Sequence, residues 1–138
     1  MTDGTGNGSA PNRSNNAGQK TGLWRERDDH GGYMIGTYRN GQRVGTWQHR
    51  SDNGDLRSDG EYKDGALHAP WVWYRKGGEA MQRGGFLEGE KHGTWQRWSA
   101  DGSQIDEGDF HMGKKVGEWK RFAPDGSVAK VTRHRPRP

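Results

Sequence analysis

Aromatic residues and glycines follow one another along this chain in an order that repeats about every 24 residues. Tryptophan marks one position of the repeat, at Trp24, Trp47, Trp71, Trp95 and Trp119. Tyrosine or phenylalanine marks a second, at Tyr38, Tyr62, Phe86 and Phe110. The repeating positions hold 18 of the 24 glycines and 12 of the 14 aromatic residues. A period of this length predicts a protein built from stacked structural repeats.

Two turn signals divide each repeat. One set contains Asn53-Gly54, Gly77-Gly78, Asp101-Gly102 and Asp125-Gly126, and the other contains Asn40-Gly41, Asp64-Gly65, Glu88-Gly89 and Met112-Gly113. Asn-Gly and Asp-Gly between short segments favour two-residue β-hairpin turns, because type I′ turns need positive φ. We therefore predict an all-β fold, an elongated single antiparallel sheet of stacked β-hairpins with about nine or ten strands. The density of glycine argues against helices.

The turn positions also predict how the strands pair. A two-residue loop at Asn53-Gly54 places Trp47 opposite Gly60 on the next strand. A loop at Gly41-Gln42 places Trp47 opposite Gly36, and Tyr38 opposite Gly45, on the other side. Each tryptophan ring would then cover glycine backbone on both neighbouring strands, which restores packing that a strand glycine lacks.

Composition alone would suggest a disordered chain, since 27% of the residues are hydrophobic and 29% are charged. The repeat limits the expected disorder to the two ends of the chain. We predict a disordered N-terminal tail over 1–17, five β-hairpin repeats over 18–129 and a basic C-terminal tail over 130–138. Positive and negative charges balance over 1–129, so the net charge of +4 comes from Lys130, Arg133, Arg135 and Arg137.

Several classes of protein are disfavoured by the sequence. No apolar run approaches the roughly 18 residues of a membrane-spanning helix, and the N-terminus does not resemble a secretory signal. The chain contains no cysteine, which removes disulfides, thiol nucleophiles and cysteine-ligated zinc. We expect a cytoplasmic protein.

A second face of the predicted sheet carries the candidate binding site. Arg27 and Arg50 occupy a position that becomes aromatic in later repeats, and neighbouring positions change from arginine to aliphatic residues. The candidate binding residues are Arg50, Arg57, Tyr74, Met81, Trp98, Ile105 and Phe122. An exposed apolar patch of this kind typically marks a partner site. A tail, the curvature of the sheet or self-association could equally cover it.

No catalytic residues can be nominated. The segment from Gly108 to Lys114 fits the spacing of a phosphate-binding loop, but Lys115 stands where Ser or Thr must hold magnesium, and a hairpin is predicted there. His68 and His92 share a repeat position, yet equivalent strands lie roughly 9.5 Å apart, too far for one zinc ion. We expect no metal and no cofactor. The neutral repeat region also disfavours nucleic acid as the partner.

The repeats resemble those of the MORN family, in particular the bacterial YwqK-like, antitoxin-type variant. The motif is fullest in Gly89-Glu90-Lys91-His92-Gly93-Thr94-Trp95-Gln96-Arg97-Trp98 and in the matching segment that begins at Gly113. The resemblance covers residues 18 to about 129. Departures include Ala69-Pro70 before Trp71, where Gly-Thr is usual, and Thr132 in place of the last glycine. The end repeats therefore resemble capping repeats.

The resemblance implies a protein-binding scaffold, and for the YwqK-like branch an antidote to a toxin. We therefore expect a protein-binding repeat module with a protein partner, and an antitoxin or immunity role as its specific form. One alternative is an enzyme that acts on a small substrate in an aromatic groove of the sheet. Another is a peripheral membrane-associated scaffold, with weak membrane contact through the basic tail at about 1 kcal/mol per charge.

Overall fold

The computed structural model describes residues 11–29 and 31–135, and every regular element within them is a β-strand. Twelve strands form a single open antiparallel sheet of hairpins, which confirms the predicted fold class. The strands are β1 (Arg13–Ser14), β2 (Lys20–Arg27), β3 (Gly32–Arg39), β4 (Gln42–Ser51), β5 (Leu56–Lys63), β6 (Ala66–Tyr74), β7 (Ala80–Leu87), β8 (Glu90–Lys91), β9 (Gly93–Trp98), β10 (Gln104–His111), β11 (Lys114–Phe122) and β12 (Val128–His134).

The strands are arranged in the order of the chain. Neighbours run from β1 to β7 and then from β9 to β12, while the two-residue β8 pairs with β7 beside β9. Ten strands are long, as the turn signals predict. The count rises to twelve because β1 and β8 add two short pieces, and β8 is separated from β9 only by His92. Each long strand therefore packs mainly against its neighbours in sequence.

The two sets of turns differ in length. In the turn between β3 and β4, Asn40 and Gly41 both have positive φ (48° and 83°), as the predicted type I′ geometry requires. The turn at Asn53-Gly54 has three residues, so the two-residue loop predicted there is wrong. Ser51 N–H donates to the Asp55 carbonyl, and Gly54 N–H closes the turn on the Ser51 carbonyl, each at 2.9 Å.

The predicted register is correct across the three-residue turns. Trp47 lies opposite Gly60, because a bulge between β4 and β5 compensates for the extra loop residue. The prediction that Tyr38 lies opposite Gly45 is wrong, since Tyr38 pairs with Arg43. The two-residue loop is Asn40-Gly41, and not Gly41-Gln42 as predicted, and a second bulge between β3 and β4 restores the predicted register from Ile35 onward. Gly45 adopts φ 68° there, and Gly36 faces the bulged segment that carries Trp47.

The core of the sheet is the face that carries the repeating tryptophans, called here the Trp face. Trp47 is fully buried and Trp71 and Trp95 are 3% exposed. Each ring lies against glycine backbone: a Cβ placed on Gly36 would be 2.2 Å from the Trp47 ring, and one on Gly60 would be 2.1 Å from the Trp71 ring. The predicted stacking of tryptophan on glycine is therefore present on the preceding strand, where it leaves no space for a side chain, while the atoms nearest to Gly60 on the following strand belong to Trp71 and not to Trp47.

The buried rings also satisfy their polar atoms and contact one another. The indole N–H of Trp47 donates to the Thr37 carbonyl at 3.1 Å, and that of Trp71 to the Glu61 carbonyl at 3.0 Å. Tyr38 meets Trp47 edge to face, with ring centroids 5.1 Å apart. Such contacts recur in later repeats, so a ladder of aromatic rings follows the sheet across its strands.

Parts of both predicted tails pair with the sheet. Arg13 and Ser14 form β1 against β2, within the segment 11–17 that the sequence assigned to the N-terminal tail. Residues 130–134, assigned to the basic tail, continue β12 along β11. The rest of the two predicted tails, 1–10 and 136–138, lies outside the described residues.

Candidate functional site

The seven predicted binding residues line one edge of the sheet, beside its three-residue turns, and are called here the turn-edge row. Four lie in the last two positions of strands that enter these turns: Arg50, Tyr74, Trp98 and Phe122. Three are the second residues of strands that leave them: Arg57, Met81 and Ile105. The bulges that correct the register lie at these same positions. The structure therefore gathers the seven residues along one edge.

The apolar members of the turn-edge row are accessible to different degrees. Met81 is 36% exposed, while Tyr74, Trp98, Ile105 and Phe122 are half-buried. No ring contact joins Tyr74, Trp98 and Phe122 in the described part of the chain, as expected for residues about two strand spacings, roughly 9.5 Å, apart. The row is thus a series of separate apolar side chains along an edge.

Polar contacts position several members of this row. The Tyr74 hydroxyl lies 3.2 Å from an Asp59 carboxylate oxygen, and burial together with that carboxylate raises the pKa of Tyr74. The Arg50 guanidinium donates to the Gly54 carbonyl at 2.7 Å and so helps to hold its own turn. Arg57 is exposed. Of the two arginines predicted to attract an acidic partner, Arg57 therefore has its charge directed to solvent.

Sequence reasoning missed a column of cations on the Trp face. Lys20, Arg43, Lys91 and Lys115 each stand four residues before a tryptophan, and Leu67 interrupts the series. Each cation lies over the ring that follows it, with the distance to the ring centroid between 4.6 and 4.7 Å. The 24-residue spacing of basic residues was the available signal. These contacts are cation–π interactions that cover the rings from solvent.

In the N-terminal repeats these cations are neutralised by a carboxylate. Glu26 accepts hydrogen bonds from Lys20 at 2.5 Å and from the Tyr38 hydroxyl at 2.7 Å, and it lies 3.5 Å from Arg43. Partial burial acts to raise the pKa of Glu26, but the bonds from Lys20 and Tyr38 outweigh it, so the pKa is lowered. The Nε2 atom of His49 contacts the Asp28 carboxylate on this part of the sheet.

The C-terminal repeats carry a basic row on the same face, and two of its three cations have no ion pair among the described residues. Along the cross-strand neighbours of β9 to β12, Arg97 faces Asp106, Asp106 faces Arg121, and Arg121 faces Lys130. Asp106 binds Arg97, with the closest contact at 2.6 Å. Neither Arg121 nor Lys130 has an ion pair or side-chain hydrogen bond within 11–29 and 31–135. Two like charges therefore lie directly opposite each other, which is destabilising.

A groove lies between this basic row and the cation column, and is called here the basic groove. It consists of two adjoining depressions of about 260 and 290 Å³ that share Asp106, Lys115 and Trp119. Its cations on the Trp face are Lys91, Arg97, Lys115, Arg121 and Lys130, and Lys120 also lines it. One repeat earlier, Trp73 occupies the position of Arg97 and packs on Phe86 and Trp95 at 6.2 and 5.6 Å. The groove therefore exists where arginine replaces this tryptophan.

The structure also places the residues that the sequence raised for metal or phosphate chemistry. Within them, no group of three or more His, Cys, Asp or Glu side chains is arranged to hold a metal ion. The segment with phosphate-loop spacing forms the hairpin of β10 and β11, and Met112-Gly113 is its turn. His92 packs on His111, with ring centroids 5.1 Å apart.

Residues 11–29 and 31–135 contain no helix of the length and apolarity needed to cross a membrane.

Comparison with known proteins yields only distant structural similarity. No family model matches the chain, and no curated protein matches it. A structure of accessory secretory proteins 1, 2 and 3 from Streptococcus pneumoniae is similar over 72% of this chain, with 10% identity and a TM-score of 0.41. TarM and the GtfA/B complex bound to UDP and GlcNAc are each similar over 80%, with 10% identity and a TM-score of 0.36. The chain spans about a fifth to a quarter of the length of these structures.

Proposed function

We propose that this chain is a protein-binding repeat module of the MORN type, and that its specific role is to neutralise a toxin as an antitoxin or immunity protein in the cytoplasm. The turn-edge row is the observation that carries the proposal. Its apolar side chains recur on one edge, away from the Trp-face core that stabilises the sheet. The resemblance of residues 18–129 to MORN repeats supports the same reading.

The chemistry of the row indicates how a partner would bind. Aromatic and aliphatic side chains such as Trp98 and Met81 supply the contact area that dominates protein interfaces. Exposed Arg57 sets a positive charge at the N-terminal end of the row, which favours the approach of an acidic surface. Because the row follows a sheet edge, the partner would contact several repeats at once.

The test uses the product of a toxin-coding gene adjacent to the gene of this protein, expressed together with it. We expect a complex that survives size-exclusion chromatography, and we expect Trp98→Ala to weaken its affinity by about tenfold or more, as for an interface anchor. Leu87→Ala is the matched control, because Leu87 is 37% exposed at the opposite edge of the sheet. Equal binding by wild type and Trp98→Ala, with unchanged thermal unfolding, would contradict the proposal.

A further inference from the structure

The basic groove differs from the rest of the sheet in the sign of its charge. On the Trp face of β8 to β12, the described strand residues include five Lys or Arg and one carboxylate, Asp106. Residues 1–129 as a whole are neutral. The sheet thus separates charge that the sequence distributes evenly, and it gathers the excess on one face of the C-terminal repeats.

The arrangement of these cations is not explained by the stability of the sheet. Arg121 and Lys130 lie directly opposite each other, and neither has an ion pair among the described residues. In the first repeats, by contrast, Glu26 binds Lys20 and lies 3.5 Å from Arg43, the two cations that precede Trp24 and Trp47. Cross-strand pairs of like charge cost stability. Clustered cations of this kind are typical of a surface that meets an anion.

From this charge and geometry, we propose that the basic groove binds an extended, acidic polypeptide segment. The proposal rests on the proposed protein-binding function and names the chemistry of a second contact with the partner. Guanidinium groups match carboxylates in bidentate pairs, as Arg97 already does with Asp106. Arg97 and Arg121 lie two strands apart, roughly 9.5 Å, so one extended peptide that crosses the strands can pass both guanidinium groups.

The aromatic residues of the groove favour a peptide over a nucleic acid. Single-stranded nucleic acids bind by stacking their bases on exposed aromatic faces between cations. Here Trp95 is 3% exposed, and the Lys91 ammonium lies 4.7 Å from its ring centroid. Lys115 covers Trp119 at 4.6 Å in the same way. The rings therefore form a floor beneath the cations and offer no open face to a base.

The experiment measures binding of a fluorescein-labelled octaglutamate peptide to the full chain by fluorescence anisotropy at about 0.15 M ionic strength, where the Debye length is about 8 Å. We expect saturable binding that the double variant Arg121→Gln/Lys130→Gln weakens by about tenfold, because it removes the two unpaired cations. Arg39→Gln/Lys63→Gln is the matched control, since it removes two exposed cations from the N-terminal half. We expect it to change affinity less than about twofold, as the Debye length limits the reach of distant charges.

Several results would overturn the inference. These are no binding of octaglutamate, an equal loss in both double variants, or tighter binding of octathymidylate or phosphatidylserine vesicles than of the peptide. Thermal unfolding of both variants excludes loss of the fold as the cause. Since the peptide assay does not use the toxin, it separates failure of this inference from failure of the proposed function, which the Trp98→Ala complex tests.

Discussion

A single position of the repeat shows how backbone conformation selects the residue. Gly45, Gly93 and Gly117 sit in the β-bulge just before a tryptophan, with φ of 68°, 87° and 68°. Ala69 occupies the equivalent place before Trp71 and adopts φ 61°. A side chain in this left-handed region costs roughly 1–2 kcal/mol that glycine avoids. The departure from the motif at Ala69-Pro70 is thus a site of backbone strain.

We expect Ala69→Gly to raise the free energy of unfolding by about 0.5–1 kcal/mol. The gain is smaller than the full relief of strain, because glycine also increases the entropy of the unfolded chain. Ala66→Gly on the same strand is the control and should lower stability by roughly 0.5–1 kcal/mol, since Ala66 lacks positive φ. Urea unfolding followed by tryptophan fluorescence measures both. A loss of stability in Ala69→Gly would contradict the argument.

At the scale of the strand, stability comes from a tryptophan packed on the glycine of the preceding strand. The sheet has one layer, so the rings of the Trp face must supply the core that a second layer would otherwise provide. Gly60, Gly84 and Gly108 each lie beneath the ring of a tryptophan from the next repeat. The last member of the column is Thr132, which pairs with Trp119 at the edge strand and has no later tryptophan above it.

We expect Gly60→Ala to destabilise the protein by about 1–3 kcal/mol, in the range of overpacked cores. The added Cβ would lie 2.1 Å from the Trp71 ring, so the ring must leave its position. Thr132→Ala in the same column is the control and should stay within about 0.5 kcal/mol, because Thr132 is exposed. Thermal unfolding measures the difference. Equal losses of stability in the two variants would show that contact with the Trp71 ring does not restrict residue 60 to glycine.

At the scale of the whole sheet, the two ends of the strand order are protected from pairing with other strands in different ways. The backbone of β2 is covered by the N-terminal segment: the Asn12 side chain accepts from Arg25 N–H at 2.8 Å and donates to the Arg25 carbonyl at 3.1 Å. Arg13 also supplies a carbonyl to the Trp24 indole at 2.9 Å. On β12, the cations Lys130 and Arg133 stand on the exposed strand, a device that discourages edge-to-edge pairing.

We expect Asn12→Gly to expose the β2 edge. Glycine retains the positive φ of residue 12 (65°) but removes both side-chain hydrogen bonds to Arg25. Hydrogen exchange at the Arg25 amide should quicken about fivefold to tenfold, as for the loss of roughly 1 kcal/mol of hydrogen bonding. The Trp71 amide, in the middle of the sheet, serves as the internal reference. Unchanged exchange at Arg25 would show that the cap does not protect this edge.

Much of the fold could be predicted because the periodic pattern encodes local contacts. The Asn-Gly turns set hairpins, and hairpins between sequence neighbours leave few other topologies for the sheet. The pairing of Trp47 with Gly60 followed from arithmetic on turn positions. The predicted pairing of Tyr38 was wrong, since the loop lies at Asn40-Gly41 and not at Gly41-Gln42, and the bulge at Gly45 restores the predicted register only beyond Tyr38. Strand alternation predicted that the residues of the turn-edge row share one face of the sheet. Their place at the edge, and the part that Arg50 plays in its own turn, became clear only from where the strands end.

The sequence by itself determined the repeat, the all-β meander and the stacking of tryptophan on glycine, because these depend on residues close in sequence and on a fixed period. The tertiary structure decided where charge collects. Arg97, Arg121 and Lys130 are scattered through a segment whose charges nearly balance, and only strand pairing places them on one face with Asp106 as the sole carboxylate among the described strand residues there. The period places Arg97 and Arg121 at equivalent positions, but only the register, with its bulges, shows that Asp106 stands between them and that Lys130 lies opposite Arg121.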